Sequence, residues 1–193
     1  MKKKFLLVLL VIVIAGGSAF AFDAATFPSP IKPGDWLISP TIGLGSYGGW
    51  GFALGITGAV EYALPIPLTV GGEVGAAFGF GYFWNSMAIP ILGKVAWHPN
   101  FEVPNLDVYV TLKLGADIGI LLDDYNDGKK VGAGFAFGFN TGARYFFTPK
   151  IGVFGELGWE DYTFRTKYSG AWGSAKAKWW IGTFFHTGIT FKI

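Results

Sequence analysis

Residues 52–64 read Phe-Ala-Leu-Gly-Ile-Thr-Gly-Ala-Val-Glu-Tyr-Ala-Leu. Phe52, Leu54, Ile56, Val60, Tyr62 and Leu64 take every second position, broken only by Gly58. Ala53, Gly55, Thr57, Ala59, Glu61 and Ala63 take the others. Successive side chains of a β-strand point to opposite faces. One face of this stretch is therefore apolar and the other small or polar. The next stretch repeats the pattern, with Leu68, Val70, Val74, Ala76, Phe78 and Phe80 opposing Thr69, Gly71, Glu73, Gly75, Ala77 and Gly79. From Leu106 it is just as regular: Val108, Val110, Leu112, Leu114, Ala116, Ile118 and Ile120 oppose Asp107, Tyr109, Thr111, Lys113, Gly115, Asp117 and Gly119.

Composition sharpens the reading. Half of the chain is apolar, 18% is aromatic and only 15% is charged. After residue 21 no apolar run is long enough for a membrane-spanning helix, which needs roughly 18–20 residues. Thirty glycines also oppose long helices, because glycine loses the most backbone freedom there. A lipid-exposed chain that avoids helices must close a sheet on itself, so that no backbone group meets hydrocarbon without a partner. A soluble β-sandwich is the competing reading, but one sandwich core does not need so many strands with one almost wholly apolar face.

Eight alternating segments can be placed, at 35–46, 51–64, 68–81, 87–98, 106–121, 132–147, 151–164 and 177–193. The fold expected is an all-β, transmembrane, antiparallel up-and-down barrel of eight strands. An even count suits such barrels. Pro65-Ile66-Pro67 and Thr148-Pro149-Lys150 make tight turns, and 98–105 makes a slightly longer link; these three face the periplasm. Connections near 47–50, 82–86, 122–131 and 165–176 face outward. Aromatic girdles are expected from Trp36, Tyr62, Trp97, Tyr145 and Phe147 at one rim. Tyr47, Trp50, Phe80, Trp84, Trp159, Trp172 and Trp179 belong at the other. Pro40 and Pro90 fall inside strands and mark bulges or early strand ends.

The N-terminus carries Lys2, Lys3 and Lys4, a ten-residue apolar run at 5–14, and Ala19-Phe20-Ala21. This is the layout of a cleavable secretory signal peptide, and the run is too short for a stable membrane anchor. The expected organisation is a signal peptide at 1–21, a periplasmic segment at 22–34 and the barrel at 35–193. Export by the Sec pathway to the outer membrane of a diderm bacterium follows. Removing those three of the 15 basic residues leaves 12 against 13 acidic ones, so the charge balance does not point to nucleic acid. The chain has no cysteine, which excludes disulfides and thiolate metal sites.

The chain ends His186-Thr187-Gly188-Ile189-Thr190-Phe191-Lys192-Ile193. His186, Gly188, Phe191 and Ile193 resemble the C-terminal assembly signal of bacterial outer-membrane barrels, with Ile where Phe is usual. The whole of 35–193 resembles the small eight-stranded outer-membrane group that includes OmpX, OmpW and the transmembrane part of OmpA. The resemblance implies recognition by periplasmic chaperones and the barrel-assembly machinery, a bilayer as the main partner, and a monomer.

Alternation also names the interior. Glu61, Glu73, Asp107, Asp117, Glu156 and Glu160 point inward, with Lys94, Lys113, Arg144, Lys192 and His186. An eight-stranded barrel is just wide enough for side chains to fill it, and charges there must pair across strands. A structural or envelope barrel with a mostly plugged polar lumen is the first expectation. A narrow porin-like channel for small solutes is the alternative, and loop-mediated binding of envelope or host components a third. An enzyme is not expected. His98 lies in a turn, His186 has no serine near it in sequence, and Ser169 and Ser174 fall in the preceding loop. No cofactor or metal is expected either. The 123–128 loop, Asp-Asp-Tyr-Asn-Asp-Gly, has Tyr125 where a calcium loop needs its third ligand. Gly132-Ala133-Gly134 lies inside a strand and is no nucleotide loop. Lys129, Lys130, Arg165, Lys167 and Lys176, at or beyond the outer rim, are placed to meet lipid phosphates.

Overall fold

The computed structural model describes residues 30–48, 51–82, 85–99, 103–122, 130–170 and 173–193; for 167–170, 173–177 and 179 it describes the backbone alone. The expected signal peptide, Trp50, Trp84, Trp172, the 123–128 loop and Lys129 lie outside the described residues, as do the side chains of Lys167, Tyr168, Lys176 and Trp179.

Eight antiparallel strands close into a barrel in sequence order. They are β1 (Trp36–Tyr47), β2 (Gly51–Ala63), β3 (Leu68–Phe80), β4 (Asn85–Trp97), β5 (Leu106–Leu121), β6 (Val131–Phe146), β7 (Ile151–Gly170) and β8 (Gly173–Lys192). β8 returns to β1, and the seam is tied at its end by Trp36 N–H donating to the Ile193 carbonyl at 3.0 Å and Ile193 N–H to that of Trp36 at 2.9 Å. Among the described residues no helix is long and apolar enough to cross a membrane.

The wall is inverted relative to a soluble domain. Ile42, Ile56, Val74, Ile91, Phe135 and Leu157 are 52–63% exposed on the outside, while glutamates and lysines are buried inside. One end carries the short turns. There Leu64 N–H donates to Leu68 O, and the Thr148 hydroxyl accepts from the amides of Lys150 and Ile151. Asn105 takes a positive φ of 64° in the longer link, and its carbonyl accepts from Phe146 N–H. Trp36, Trp97, Tyr145 and Phe147 ring this end on the outside.

Three features differ from the sequence reading. β7 and β8 do not stop near 164 and 177; their ladder runs on to the pair Gly170 and Gly173. The polar alternation of Arg165-Thr-Lys-Tyr-Ser continues the strand after its apolar content has ended, so a change of composition was mistaken for a loop. Tyr47 belongs to no outer girdle. It shares the parity of Leu37, Ser39 and Thr41 and is buried in the lumen. A bulge in β8 was not anticipated. Phe184 is the extra residue between two otherwise regular pairings with β1, Leu44 with Phe185 and Gly45 with Thr183.

Pro40 and Pro90 produce neither a shift of register nor a strand end. Each keeps one ladder whole, Pro40 opposite Gly58 and Pro90 opposite Asp117. On the other side each skips two pairs. The β1–β8 pairing resumes at Thr41 with Gly188, and β3–β4 at Ala77 with Ala88. A residue without an N–H can do no more than leave such a gap.

Candidate functional site

The lumen is layered. At the turn end Ile31, Leu37, Ala63 and Phe146 form an apolar floor. At the loop end Tyr47, Leu121, Phe164 and Ile181 belong to an apolar cluster that also includes Tyr162. Two glycines make room for this lid. A side chain at Gly119 would sit inside the Phe164 ring, and one at Gly79 inside that of Tyr47. Between floor and lid lies a network of buried charge.

At the heart of the lower part, toward the floor, is Glu61 on β2. Its Oε1 meets Lys94 Nζ at 3.1 Å and Arg144 Nη2 at 3.4 Å, and its Oε2 accepts from the Thr69 hydroxyl at 2.7 Å. Arg144 Nη1 lies 3.5 Å from Asp107 Oδ2, and its guanidinium stacks over the Tyr109 ring at 4.9 Å. Tyr109 in turn donates to Glu156 at 2.8 Å. In the upper part Lys113 is the hub. It pairs with Glu73 at 2.7 Å, donates to Glu160, and lies 3.9 Å from Glu156. Asn140 Nδ2 and the Tyr162 hydroxyl also donate to Glu160.

His186 reaches Glu160 because of the bulge. In an unbroken strand Thr183 and His186, three apart, face opposite sides. The extra Phe184 turns both inward, so that His186 Nε2 lies 2.8 Å from the Thr183 hydroxyl and 3.5 Å from Glu160 Oε2. The three ligand-type side chains Glu156, Glu160 and His186 converge within 4.8 Å. Lys113 already serves both carboxylates as their cation, so the geometry describes an ion-pair hub rather than a metal centre.

All ten charged residues expected to line the lumen, Glu61, Glu73, Lys94, Asp107, Lys113, Asp117, Arg144, Glu156, Glu160 and His186, are buried inside it. The structure joins nine of them. Asp117 stands apart: neither carboxylate oxygen has a hydrogen-bond partner among the described residues. Lys192 is half-buried at the turn end, where it pairs with Asp35 at 3.5 Å and donates to the Pro30 carbonyl. Of the assembly-signal residues His186 and Gly188 face inward, and Phe191 and Ile193 outward. At the loop end Arg165 is exposed and its backbone pairs with that of Lys178, while Lys130 is half-buried.

His98 lies in the link after β4, as the sequence suggests, but its part in the lumen is not read from the sequence. It is 5% exposed and takes part in the network. Nδ1 lies 2.7 Å from Asp107 Oδ1, and Nε2 lies 3.1 Å from the Thr69 hydroxyl. Continuing the inward parity of β4 (Leu92, Lys94, Ala96) by one step past the strand end would have found it.

No protein-family model and no curated protein matches the sequence. Solved structures do. The chain is similar to the outer membrane protein OprG from Pseudomonas aeruginosa, at 12% identity and a TM-score of 0.56, over 87% of this chain and 99% of that one. It is also similar to Neisserial surface protein A, at 11% identity and a TM-score of 0.55, over 84% and 98%. At such identities the likeness is one of fold: this chain has the closed eight-stranded architecture of small outer-membrane β-barrels.

Proposed function

We propose that this protein resides in the bacterial outer membrane, with its turn end in the periplasm, as a structural or envelope barrel without catalytic activity. The lumen is plugged. One observation carries this reading: five carboxylates, three permanent cations and two histidines join in one buried network spanning the barrel interior. Charges paired with one another leave little for a passing solute to bind, and an apolar layer lies at each end of them. The apolar outer wall and the aromatic residues at the turn end suit a bilayer. Export through a cleaved signal peptide and reading of the C-terminal strand by the assembly machinery complete the proposal.

The test is single-channel recording in planar bilayers with the refolded chain, its fold checked by β-rich circular dichroism. At neutral pH a silent bilayer is expected. Discrete steps abolished by neutralising Glu73 or Lys113 would instead establish a path through the barrel and the narrow-channel reading.

A further inference from the structure

The contacts around His98 suit a ring that donates from both nitrogens. The Thr69 hydroxyl has one proton and donates it to Glu61 Oε2 at 2.7 Å. Toward His98 Nε2, 3.1 Å away, the same oxygen can only accept. A proton on Nε2 lets the ring donate to that oxygen. Nδ1 faces Asp107 Oδ1 at 2.7 Å, and a carboxylate in an ion pair accepts, so Nδ1 carries one too. An imidazolium, which donates from both nitrogens, satisfies both contacts at once. It completes a chain that runs Asp107, His98, Thr69, Glu61 and links β5, the β4 end, β3 and β2.

The other charged groups facing this chain agree with a cation here. Glu61 on β2 and Asp107 on β5 are shared with Arg144 from β6, and Glu61 also with Lys94 from β4. Tyr109 of β5 presents its ring 5.7 Å from the imidazole. Over the whole network five carboxylates face three permanent cations, a deficit of positive charge that suits a cation at His98. On its other side His98 lines a small cavity of about 60 Å³, bounded by Ile31, Lys32 and the 65–67 turn. Released from Thr69, the ring has a place to go.

We propose that His98 is a proton-operated latch on the periplasmic mouth of the lumen. This rests on the plugged-barrel reading and assigns its regulation. With the proton in place the imidazolium ties four strands together. When pH rises and one nitrogen loses its proton, Nδ1–H keeps Asp107, and Nε2 becomes an acceptor. Thr69 can then serve Nε2 or Glu61, not both, and the mouth gains one uncompensated negative charge. Water and small cations then reach the network at the side of the apolar floor, through the pocket that His98 lines with Lys32 and the 65–67 turn, while the apolar lid at the loop end stays shut.

Two measurements test this on the refolded chain in lipid nanodiscs, between about pH 5.5 and about pH 9, a window that brackets ordinary imidazole titration. The first is nitrogen-15 NMR of the histidine rings. Two protonated nitrogens on His98 at the acidic end support the latch; a neutral His98 ring there overturns it. The second uses the absence of cysteine from the chain. A cysteine replacing buried Ala96, which pairs with Thr69, is labelled by a small cationic thiol reagent. The same substitution in a His98→Gln background supplies the pH dependence of the thiol itself. Relative to that background, labelling of the His98 protein at acidic pH should be slower by about tenfold, the equivalent of one charged hydrogen bond. Equal rates in the two backgrounds overturn the latch. Large conductance at both pH extremes would overturn the plugged-barrel reading itself, and is distinguishable because His98 titration is read separately.

Discussion

Lys113 and Asp117 lie four residues apart on one strand, both inward and both about 1% exposed, yet they stand in opposite energetic positions. Lys113 is the cation for Glu73 and Glu160. Replacing it with Met, of similar length, leaves those carboxylates buried and uncompensated. Such a loss costs about 3–5 kcal/mol, so Lys113→Met should lower unfolding stability in urea by that order. Asp117 has nothing to lose, because neither oxygen accepts a hydrogen bond from the described residues. Asp117→Asn keeps the shape and removes the charge. It should raise stability, because a neutral amide costs less to hold away from water than an unpaired carboxylate. Equilibrium unfolding of both variants in lipid vesicles checks the opposite signs.

At the scale of the strand, the prolines and the bulge decide how evenly the barrel is held. Pro90 leaves the β3–β4 ladder without its pairs at Gly75 and Ala76, while the β4–β5 ladder is complete through the same residue. Amide hydrogen exchange should therefore be faster at Gly75, whose backbone faces Pro90, than at Glu73 and Ala77, which face intact pairs of the same ladder. Pro90→Ala restores a donor, and exchange there should slow, with a gain of about 1 kcal/mol, that of one net hydrogen bond. No slowing would show that the gap belongs to the wall's curvature rather than to the missing N–H. The Phe184 bulge has a different consequence. By turning Thr183 and His186 to the same side it builds one corner of the ion-pair hub, so this part of the interior depends on an irregularity of the sheet.

For the molecule as a whole, the sign of burial is reversed: the apolar surface lies outside and the charge inside. That arrangement is stable only in lipid. Arginine at Ile56 or Leu157, both outward and more than half exposed, should cost about 2–4 kcal/mol in a bilayer if they lie near its midplane. Arginine at Phe147 or Ile193, exposed beyond the turn-end rim, should cost roughly 0–1 kcal/mol. Unfolding titrations from vesicles would report the difference, and equal costs at the two depths would argue against a hydrocarbon band around the barrel.

Strand number, the identity of the two faces and the inward charges were legible in the chain because a period of two is a local property. Each residue's parity follows from its neighbours, as in 52–64, and needs no knowledge of what lies across the barrel. The turn residues Pro65, Pro67 and Pro149 were legible for the same reason. What parity cannot express is a break in parity or a distance across the lumen. The bulge at Phe184, the inward Tyr47 and the length of the β7–β8 hairpin came only with the ladder, since pairing is set by the neighbouring strands. The sequence could say that Glu61, Asp107, Lys94 and Arg144 all point inward. Only closure of the barrel decides which of them meet, and that His98, just past the end of β4, completes the circuit between Asp107 and Thr69.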